Sequence, residues 1–132
     1  TVIYMVIGRS QAVTDKRDLK MQYKNMKQPM GIYRITNKVN GRIFIGSSKT
    51  VDKVWNRISF QLQNRSYPQR ELQEDYVRYG KDAIVFDVVD YLTPREEEPD
   101  YDYTDDLKTL LDIWIEKLQP YGERGYNSKL PG

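Results

Sequence analysis

The chain of 132 residues contains neither cysteine nor histidine. Without cysteine it can form no disulfide and offers no thiolate to a metal, which is typical of an intracellular protein, so we expect a cytoplasmic location. Without histidine it lacks the most common general base near neutral pH and the commonest ligand of transition metals. Any catalysis must therefore rest on carboxylates, tyrosine, lysine and arginine.

Long apolar runs are also missing. The longest, VIYMVIG at residues 2–8, is far shorter than the roughly 20 apolar residues of a membrane-spanning helix. It has neither a basic leader nor a cleavage site of small residues, so we expect no secretory leader and no membrane partner. With 39% apolar and 30% charged residues, the composition is that of an ordinary globular protein.

Outside one short segment, basic residues outnumber acidic ones. Residues 95–106, REEEPDYDYTDD, hold seven acids and one arginine, a net charge of −6 in a chain that carries +2 overall. The other 120 residues therefore sum to +8. We interpret this acidic segment as a solvated loop, and the alternative is that it binds a protein partner through its charges and through Tyr101 and Tyr103.

The spacing of apolar residues predicts the order strand, strand, helix, helix, strand, helix, which indicates an α+β fold. The Asn-Gly turn signal of NKVNG predicts a hairpin between β-rich runs at 32–35 and 43–45. A third strand is predicted over 83–92, and helices are predicted from residue 50 to 62, over 67–82 and over 105–120. In the second helix Pro68 suits the first turn and Gly80 suits the C-terminal cap.

These elements predict a small three-stranded antiparallel sheet flanked by helices, with an extra strand or segment before it. We divide the chain into an N-terminal extension, residues 1–30, and one domain, residues 31–132. The extension combines a strand-like start with a polar stretch in which a short helix over 15–27 is one alternative.

Four short motifs follow one another in the predicted domain: GIY at 31–33, FIG at 44–46, VWNR at 54–57 and GYN at 125–127. With RYGKDAIVFDVV before and within the third strand and the W-I-x-x-L-x-P pattern of the last helix, they resemble the GIY-YIG nuclease domain. That family includes phage intron homing endonucleases, some restriction enzymes and a bacterial excision-repair nuclease. The resemblance spans residues 31–127 and implies a phage or mobile-element origin.

The resemblance also implies which positions correspond to the family's active site. Tyr33 and Asn127 keep the family's residue. The other four positions are apolar: Phe44 at the second tyrosine, Val54 at an arginine, Ile58 at a histidine or tyrosine and Leu111 at the metal-binding glutamate.

These replacements remove chemistry that phosphodiester cleavage needs. Leu111 cannot hold a hard cation, Phe44 has no hydroxyl to exchange a proton, and Val54 offers no charge to the developing phosphorane. We therefore predict a pseudo-nuclease that is not an enzyme and has no catalytic residue, metal or cofactor. The alternative is a weak metal-dependent endonuclease that uses Tyr33 and, in place of Val54, Arg57 one turn later on the same helix.

Structural roles are also predicted for the six positions. We expect Val54, Ile58 and Leu111 to pack together and fill the former pocket. Tyr33 is expected to cap the core from the sheet, and Asn127 to bond to the backbone at the C-terminal turn.

Nucleic-acid binding does not need the lost groups, because lysine and arginine neutralise phosphates without a catalyst. We predict that the domain binds DNA and acts by occupancy, as a repressor or as a competitor of an active nuclease. The alternative is a protein-interaction module that uses the filled pocket and the acidic segment. The candidate DNA-binding residues are Lys38, Arg42, Lys49, Lys53, Arg57, Arg65, Arg70 and Lys81.

Overall fold

The computed structural model describes residues 29–95, 98 and 100–128. Its strands and longer helices follow the predicted order: β1 Met30–Asn37, β2 Ile43–Ser48, α1 Val54–Gln63, α2 Arg70–Tyr79, β3 Ile84–Leu92 and α3 Thr104–Leu118. Single turns of 3-10 helix occur at Lys81–Ala83 and Gly122–Arg124. No helix in these ranges is long and apolar enough to cross a membrane. The predicted N-terminal strand and helix lie outside the described residues.

The three strands form the predicted antiparallel sheet, in the order β2-β1-β3. The central strand β1 pairs along its length with both neighbours, so that Ile35 faces Phe44 on one side and Phe86 on the other. The backbone of β1 is thus paired on both edges, and its side chains Ile32 and Ile35 are 0% exposed. The prediction of an α+β fold with a three-stranded antiparallel sheet is confirmed.

The C-terminal segment covers the outer edge of β2. Gly125 forms a parallel bridge with Ile43, and the Tyr126 amide donates a 2.8 Å hydrogen bond to the Ile43 carbonyl. One residue on, the Asn127 side chain accepts from the Ile45 amide at 3.0 Å and donates to the Ile45 carbonyl at 2.9 Å. The amide of Asn127 thus replaces a missing strand partner, and it brings the GYN motif beside FIG.

A buried polar network fastens this segment to the rest of the domain. The Tyr126 hydroxyl donates to Asp75 of α2 at 2.7 Å and accepts from the Asn37 amide of β1 at 3.1 Å. Arg42 lies over the Tyr126 ring, with its guanidinium carbon 4.3 Å from the ring centre. Burial, and next the hydrogen bond to Asp75, raise the pKa of Tyr126 to about 12. The protonated phenol therefore joins three elements of the fold.

The helices cover the sheet through a buried apolar cluster. It consists of Tyr33, Ile35, Val51, Val54, Ile58, Leu62, Leu72, Ile84 and Tyr126. Val54 and Ile58 are each 2% exposed, as core packing requires. Leu111, in contrast, is only half-buried on α3 and does not belong to this cluster. The prediction that Leu111 packs with Val54 and Ile58 is therefore wrong.

Two helix starts also differ from the predictions. The first helix begins at Val54 rather than at residue 50, because Thr50 and its neighbours form a turn in which the Ser48 hydroxyl accepts from the Thr50 amide at 2.9 Å. Pro68 lies before the N-cap of α2, which is Gln69, and so it is not in the first turn. The predicted C-terminal cap is confirmed, since Gly80 follows α2 with a φ of 90°.

Gly46 of the FIG motif faces Tyr33 of the GIY motif across the β1–β2 ladder. A Cβ atom on Gly46 would collide with the hydroxyl and ring of Tyr33, which lie directly over the glycine. The two motifs are therefore sterically linked, because the missing side chain of one makes room for the aromatic ring of the other.

We predict that Gly46→Ala destabilises the domain by about 1–3 kcal/mol, the usual cost of an overpacked site. In a Tyr33→Ala background the added methyl group meets no ring, so the same change should cost much less. Urea unfolding of the two single variants and the double variant measures this coupling. Equal costs in both backgrounds would contradict the proposed contact.

The raised pKa of Tyr126 makes stability depend on alkaline pH. The phenol keeps its proton in the folded state up to about pH 12, whereas its ordinary pKa is 10.0, so its stabilisation is complete below pH 10 and is lost as the pH rises through 12. Tyr126→Phe should lower stability by about 1 kcal/mol at pH 8, through the lost hydrogen bonds, and should make the alkaline decline shallower. Urea unfolding at pH 8, 10 and 11 tests both effects, and an unchanged alkaline slope would contradict this assignment.

Candidate functional site

An open cleft of about 480 Å³ lies over the sheet where β1, β2 and α1 meet. Its walls come from both strands, from α1 and from the connection between α1 and α2. The lining residues are Tyr33, Phe44, Arg57, Ile58, Gln61, Tyr67, Pro68 and Gln69. The prediction of a filled pocket is therefore wrong, because Val54 and Ile58 do pack in the core but leave this space open to solvent.

The geometry of α1 explains why Arg57 enters this cleft, which we call the Tyr33 cleft. Val54, Ile58 and Leu62 form the buried stripe of the helix. Arg57 precedes Ile58 and is rotated from it by about 100°, which places it at the edge of the buried face. Burial raises the pKa of both Tyr33 and Tyr67, and the nearby positive charge of Arg57 offsets part of this rise. The positive charge that the resemblance places at Val54 is thus present three residues later.

Two phenols meet in the Tyr33 cleft. The Tyr67 hydroxyl donates a hydrogen bond to the Tyr33 hydroxyl. Burial raises the pKa of Tyr33, and the charge of Arg57 offsets part of that rise. Burial is also the largest cause of the raised pKa of Tyr67. Both groups are therefore protonated at neutral pH, and because Tyr67 gives its single proton to Tyr33, it is the Tyr33 hydroxyl that can donate a hydrogen bond to an anion.

Aromatic neighbours hold the orientation of the Tyr33 ring. Its centre lies 5.5 Å from that of Phe86 in a stacked arrangement and 6.4 Å from that of Phe44. Trp55 also stacks on Phe86, with the ring centres 5.2 Å apart. The orientation of the ring is consequently held by packing against these aromatic neighbours.

The six positions implied by the resemblance do not form one site. Tyr33, Phe44 and Ile58 line the Tyr33 cleft, and Val54 lies in the core. Asn127 lines a second cleft of about 780 Å³ beside the C-terminal segment, which shares Gln69 with the first. Leu111 lines neither cleft.

Sequence reasoning missed Tyr67, Gln61 and Gln69. Gln61 could have been found, because it lies one helical turn after Arg57 on the same edge of α1. Tyr67 precedes Pro68 in a connection, and no periodic pattern indicates where a side chain in such a segment points. Gln69 has a structural task, since its side chain accepts from the Leu72 amide at 2.9 Å and caps α2.

The donors in the Tyr33 cleft do not match those of a divalent-cation site. Hard cations prefer carboxylate oxygens, and the lining contains no carboxylate. Leu111 stands where the resemblance places a metal-binding glutamate, and the described ranges contain no group of three or more Asp or Glu residues arranged to hold a metal. The residues present therefore do not fit the metal that the resemblance implies.

The eight candidate DNA-binding residues fall into two groups. Arg42 is paired with Glu71, Lys49 with Asp102 at 3.7 Å and Arg70 with Glu74 at 3.3 Å. The others are exposed and form no ion pair with any residue that the structure describes: Lys38, Lys53, Arg57, Arg65 and Lys81. Only this second group is fully available to phosphates.

The described part of the acidic segment is folded on itself. Arg95 lies over the Tyr101 ring at 4.1 Å, and the Tyr101 hydroxyl donates to Asp106 at 2.9 Å. Asp102 remains exposed, as expected of a solvated loop, although it pairs with Lys49. A role for this segment in binding a protein stays a prediction.

Comparison with known proteins adds independent information. No protein-family model matches the chain. It is 28% identical over 97 residues to a probable intron-encoded endonuclease 1 of Neurospora crassa, an alignment that covers 74% of this chain and 31% of that protein. The chain thus spans about a third of the length of this relative.

Two structures of the I-TevI catalytic domain share the fold. The catalytic domain of homing endonuclease I-TevI superposes with a TM-score of 0.61 at 23% identity, covering 74% of this chain and 96% of that one. A point mutant of the catalytic domain of intron endonuclease I-TevI gives 0.57 at 22%, covering 70% and 86%.

These findings correct the prediction that the chain is not an enzyme. The proteins that it resembles are named as endonucleases, and two of the structures are catalytic domains. Val54 replaces the arginine that the resemblance implies, but Arg57 lines the Tyr33 cleft and supplies a positive charge there. The resemblance inferred from the motifs is confirmed: the chain has the fold of the I-TevI catalytic domain and is similar in sequence to an intron-encoded endonuclease, as expected for a domain that resembles the GIY-YIG homing endonucleases.

Proposed function

We propose that this chain is a DNA endonuclease domain that holds the scissile phosphate in the Tyr33 cleft. One observation carries the proposal: a guanidinium and two protonated phenols, from Arg57, Tyr33 and Tyr67, converge in an open cleft. A phosphodiester is the anion that these donors suit, and DNA is its source in a domain with the fold of a homing-endonuclease catalytic domain.

Arg57 supplies the positive charge. A guanidinium binds phosphate oxygens in a bidentate geometry and neutralises the charge that grows on them during cleavage. Phe44 and Ile58 form an apolar part of the wall of the cleft, next to the polar groups that would contact the phosphate. This charge comes from α1, the same helix on which the resemblance places the family's arginine.

The two phenols act as proton donors rather than as bases. Their raised pKa values keep them protonated at neutral pH, so they cannot abstract a proton from water efficiently. Because Tyr67 donates to Tyr33, the proton of Tyr33 is available to a phosphate oxygen or to the leaving oxygen. No histidine or carboxylate in the Tyr33 cleft activates the attacking water, and we therefore expect slow cleavage.

The surrounding surface would hold the duplex. Lys53 and Arg57 lie one turn apart on α1, and both are exposed and free of ion pairs with described residues. Phosphate contacts of this kind fix the position of DNA without reading its sequence. An origin in a mobile genetic element agrees with the intron-encoded relative, and the cytoplasmic location stays a prediction.

We predict that the protein nicks supercoiled plasmid DNA slowly. Arg57→Ala should reduce the rate by about 100-fold, as expected for the loss of a charge-stabilising donor, and Tyr33→Phe and Tyr67→Phe should each reduce it by about tenfold. Gel electrophoresis of the nicked form measures these rates. Arg78→Ala and Tyr79→Phe, on α2 and outside the Tyr33 cleft, are the matched controls and should cleave normally.

Cleavage that is equally fast in all of these variants would come from a contaminant and would contradict the proposal. Binding of plasmid by the wild type without any nicking would also contradict it, and would restore action by occupancy, as a repressor or competitor. Melting temperatures of the variants show whether a loss of rate reflects unfolding.

Duplex binding should depend on salt through the free cations. Each phosphate that is neutralised contributes about −0.9 to the slope of log affinity against log salt, so Lys53→Ala should flatten the slope by about 0.9. Lys108→Ala is the control, because Lys108 pairs with Asp112 on α3 at 3.1 Å. Fluorescence anisotropy with a labelled duplex at several salt concentrations gives the slopes. Equal slopes for Lys53→Ala and the wild type would show that Lys53 meets no phosphate.

A further inference from the structure

The outer face of α1 exposes a large aromatic side chain. Phe60 is 64% exposed, although it lies in the middle of a helix whose other face is packed in the core. It follows Ile58 by two residues, about 200° round the helix, and therefore points almost directly away from the sheet. Nothing within the described part of the domain covers this ring.

The residues around Phe60 are cationic or carry amides. Three of them precede Phe60, by seven, four and three residues: Lys53, Asn56 and Arg57. Asn64 follows it by four residues. These spacings place all four on the same side of the helix as Phe60. All four are exposed. Neither asparagine side chain is hydrogen-bonded to another described residue, so both amides are available to a ligand.

Acidic residues are absent from this part of the chain. Residues 53–70 contain four cations and no aspartate or glutamate. Other exposed apolar side chains on helices have acidic surroundings: Val77 shares α2 with Glu71, Glu74 and Asp75, and Ile113 is next to Asp112. An exposed aromatic ring on a segment whose only charged residues are cations fits an anionic partner that also offers apolar groups.

We propose that this face of α1 reads bases in the major groove of DNA, with Phe60 against thymine methyl groups. The inference rests on the proposed function, since it names how the same domain chooses its sequence. The major groove admits an α-helix, asparagine pairs with the adenine edge through two hydrogen bonds, and phenylalanine contacts the methyl group of thymine. Asn56 and Asn64 provide the amides, and Lys53 and Arg57 meet phosphates at the groove edge.

The position of the face agrees with the position of the Tyr33 cleft. Phe60 lies about 4.5 Å along the helix axis from Arg57, which lines that cleft. One docking of α1 can therefore place Arg57 on a phosphate and Phe60 on a neighbouring base. Burial of the ring against methyl groups would also remove from water an apolar surface that the domain leaves exposed.

Replacement of thymine by deoxyuridine tests the contact, because it deletes only the methyl group. The wild type should bind a labelled random-sequence duplex about three- to fivefold more tightly with thymine than with deoxyuridine, which is the effect of burying one methyl group. Phe60→Ala should bind both duplexes equally. Val77→Ala, an exposed apolar side chain on α2, is the matched control and should discriminate as the wild type does.

The outcomes separate this inference from the proposed function. If Phe60→Ala keeps the preference for thymine, or if the wild type has none, the base-reading face is wrong while DNA binding stands. If the wild type binds neither duplex at low salt, both proposals fail, and a protein becomes the better partner for this face. Because Phe60 is exposed, Phe60→Ala should unfold at the wild-type temperature, which shows that a changed preference is not caused by misfolding.

Discussion

The packing of α1 against the sheet is the contact on which both proposed functional surfaces depend. Val54, Ile58 and Leu62 bury one stripe of the helix, and this stripe fixes its rotation about its own axis. Once the rotation is set, Arg57 must lie at the rim of the Tyr33 cleft and Phe60 must face solvent. A rotation by one residue would move Arg57 into the core and cover Phe60. The charge in the cleft and the aromatic ring outside it are therefore two consequences of one hydrophobic contact.

A second constraint keeps the cleft in shape. Tyr33 occupies the space that Gly46 leaves empty, and stacking on Phe86 holds its ring. On the outer edge of β2, Asn127 and Tyr126 close the sheet with hydrogen bonds that a free edge strand would lack. The motif residues thus stabilise the fold through packing and hydrogen bonds, even where their chemistry differs from that of the family. The glycine and the tyrosines preserve a scaffold on which a site can be rebuilt.

The proposed site in the Tyr33 cleft differs in its charged groups from the pattern that the GIY-YIG resemblance implies. The arginine is displaced by three residues along α1, a second phenol comes from Tyr67, and no carboxylate lines the cleft. Such a site can bind a phosphate and stabilise its charge, since these tasks need only donors and a cation. It is poorer at activating water, since its phenols hold their protons at neutral pH. The proposed site therefore has groups suited to phosphate binding but few suited to proton transfer.

The sequence by itself determined the fold. The β-rich runs at 32–35 and 43–45, the Asn-Gly turn signal and the helical spacing of Val54, Ile58 and Leu62 are local patterns, and local sterics and burial decide them. The order of the motifs was sufficient to indicate the GIY-YIG resemblance. Only the tertiary structure decided whether the old pocket was filled.

Side-chain identity at the family's positions suggested an apolar plug, because Val54, Ile58 and Leu111 are all apolar. In the fold, Leu111 lies apart from the other two, and Arg57 and Tyr67 enter the space from the helix rim and from a connecting segment. The spacing of residues in the sequence alone does not show that the side chains of Arg57 and Tyr67 enter this cleft. The rim position depends on how far α1 is rotated on the sheet, and the connection has no period at all. A site made by convergence of distant segments is therefore determined by packing, whereas each of those segments is determined by its own sequence.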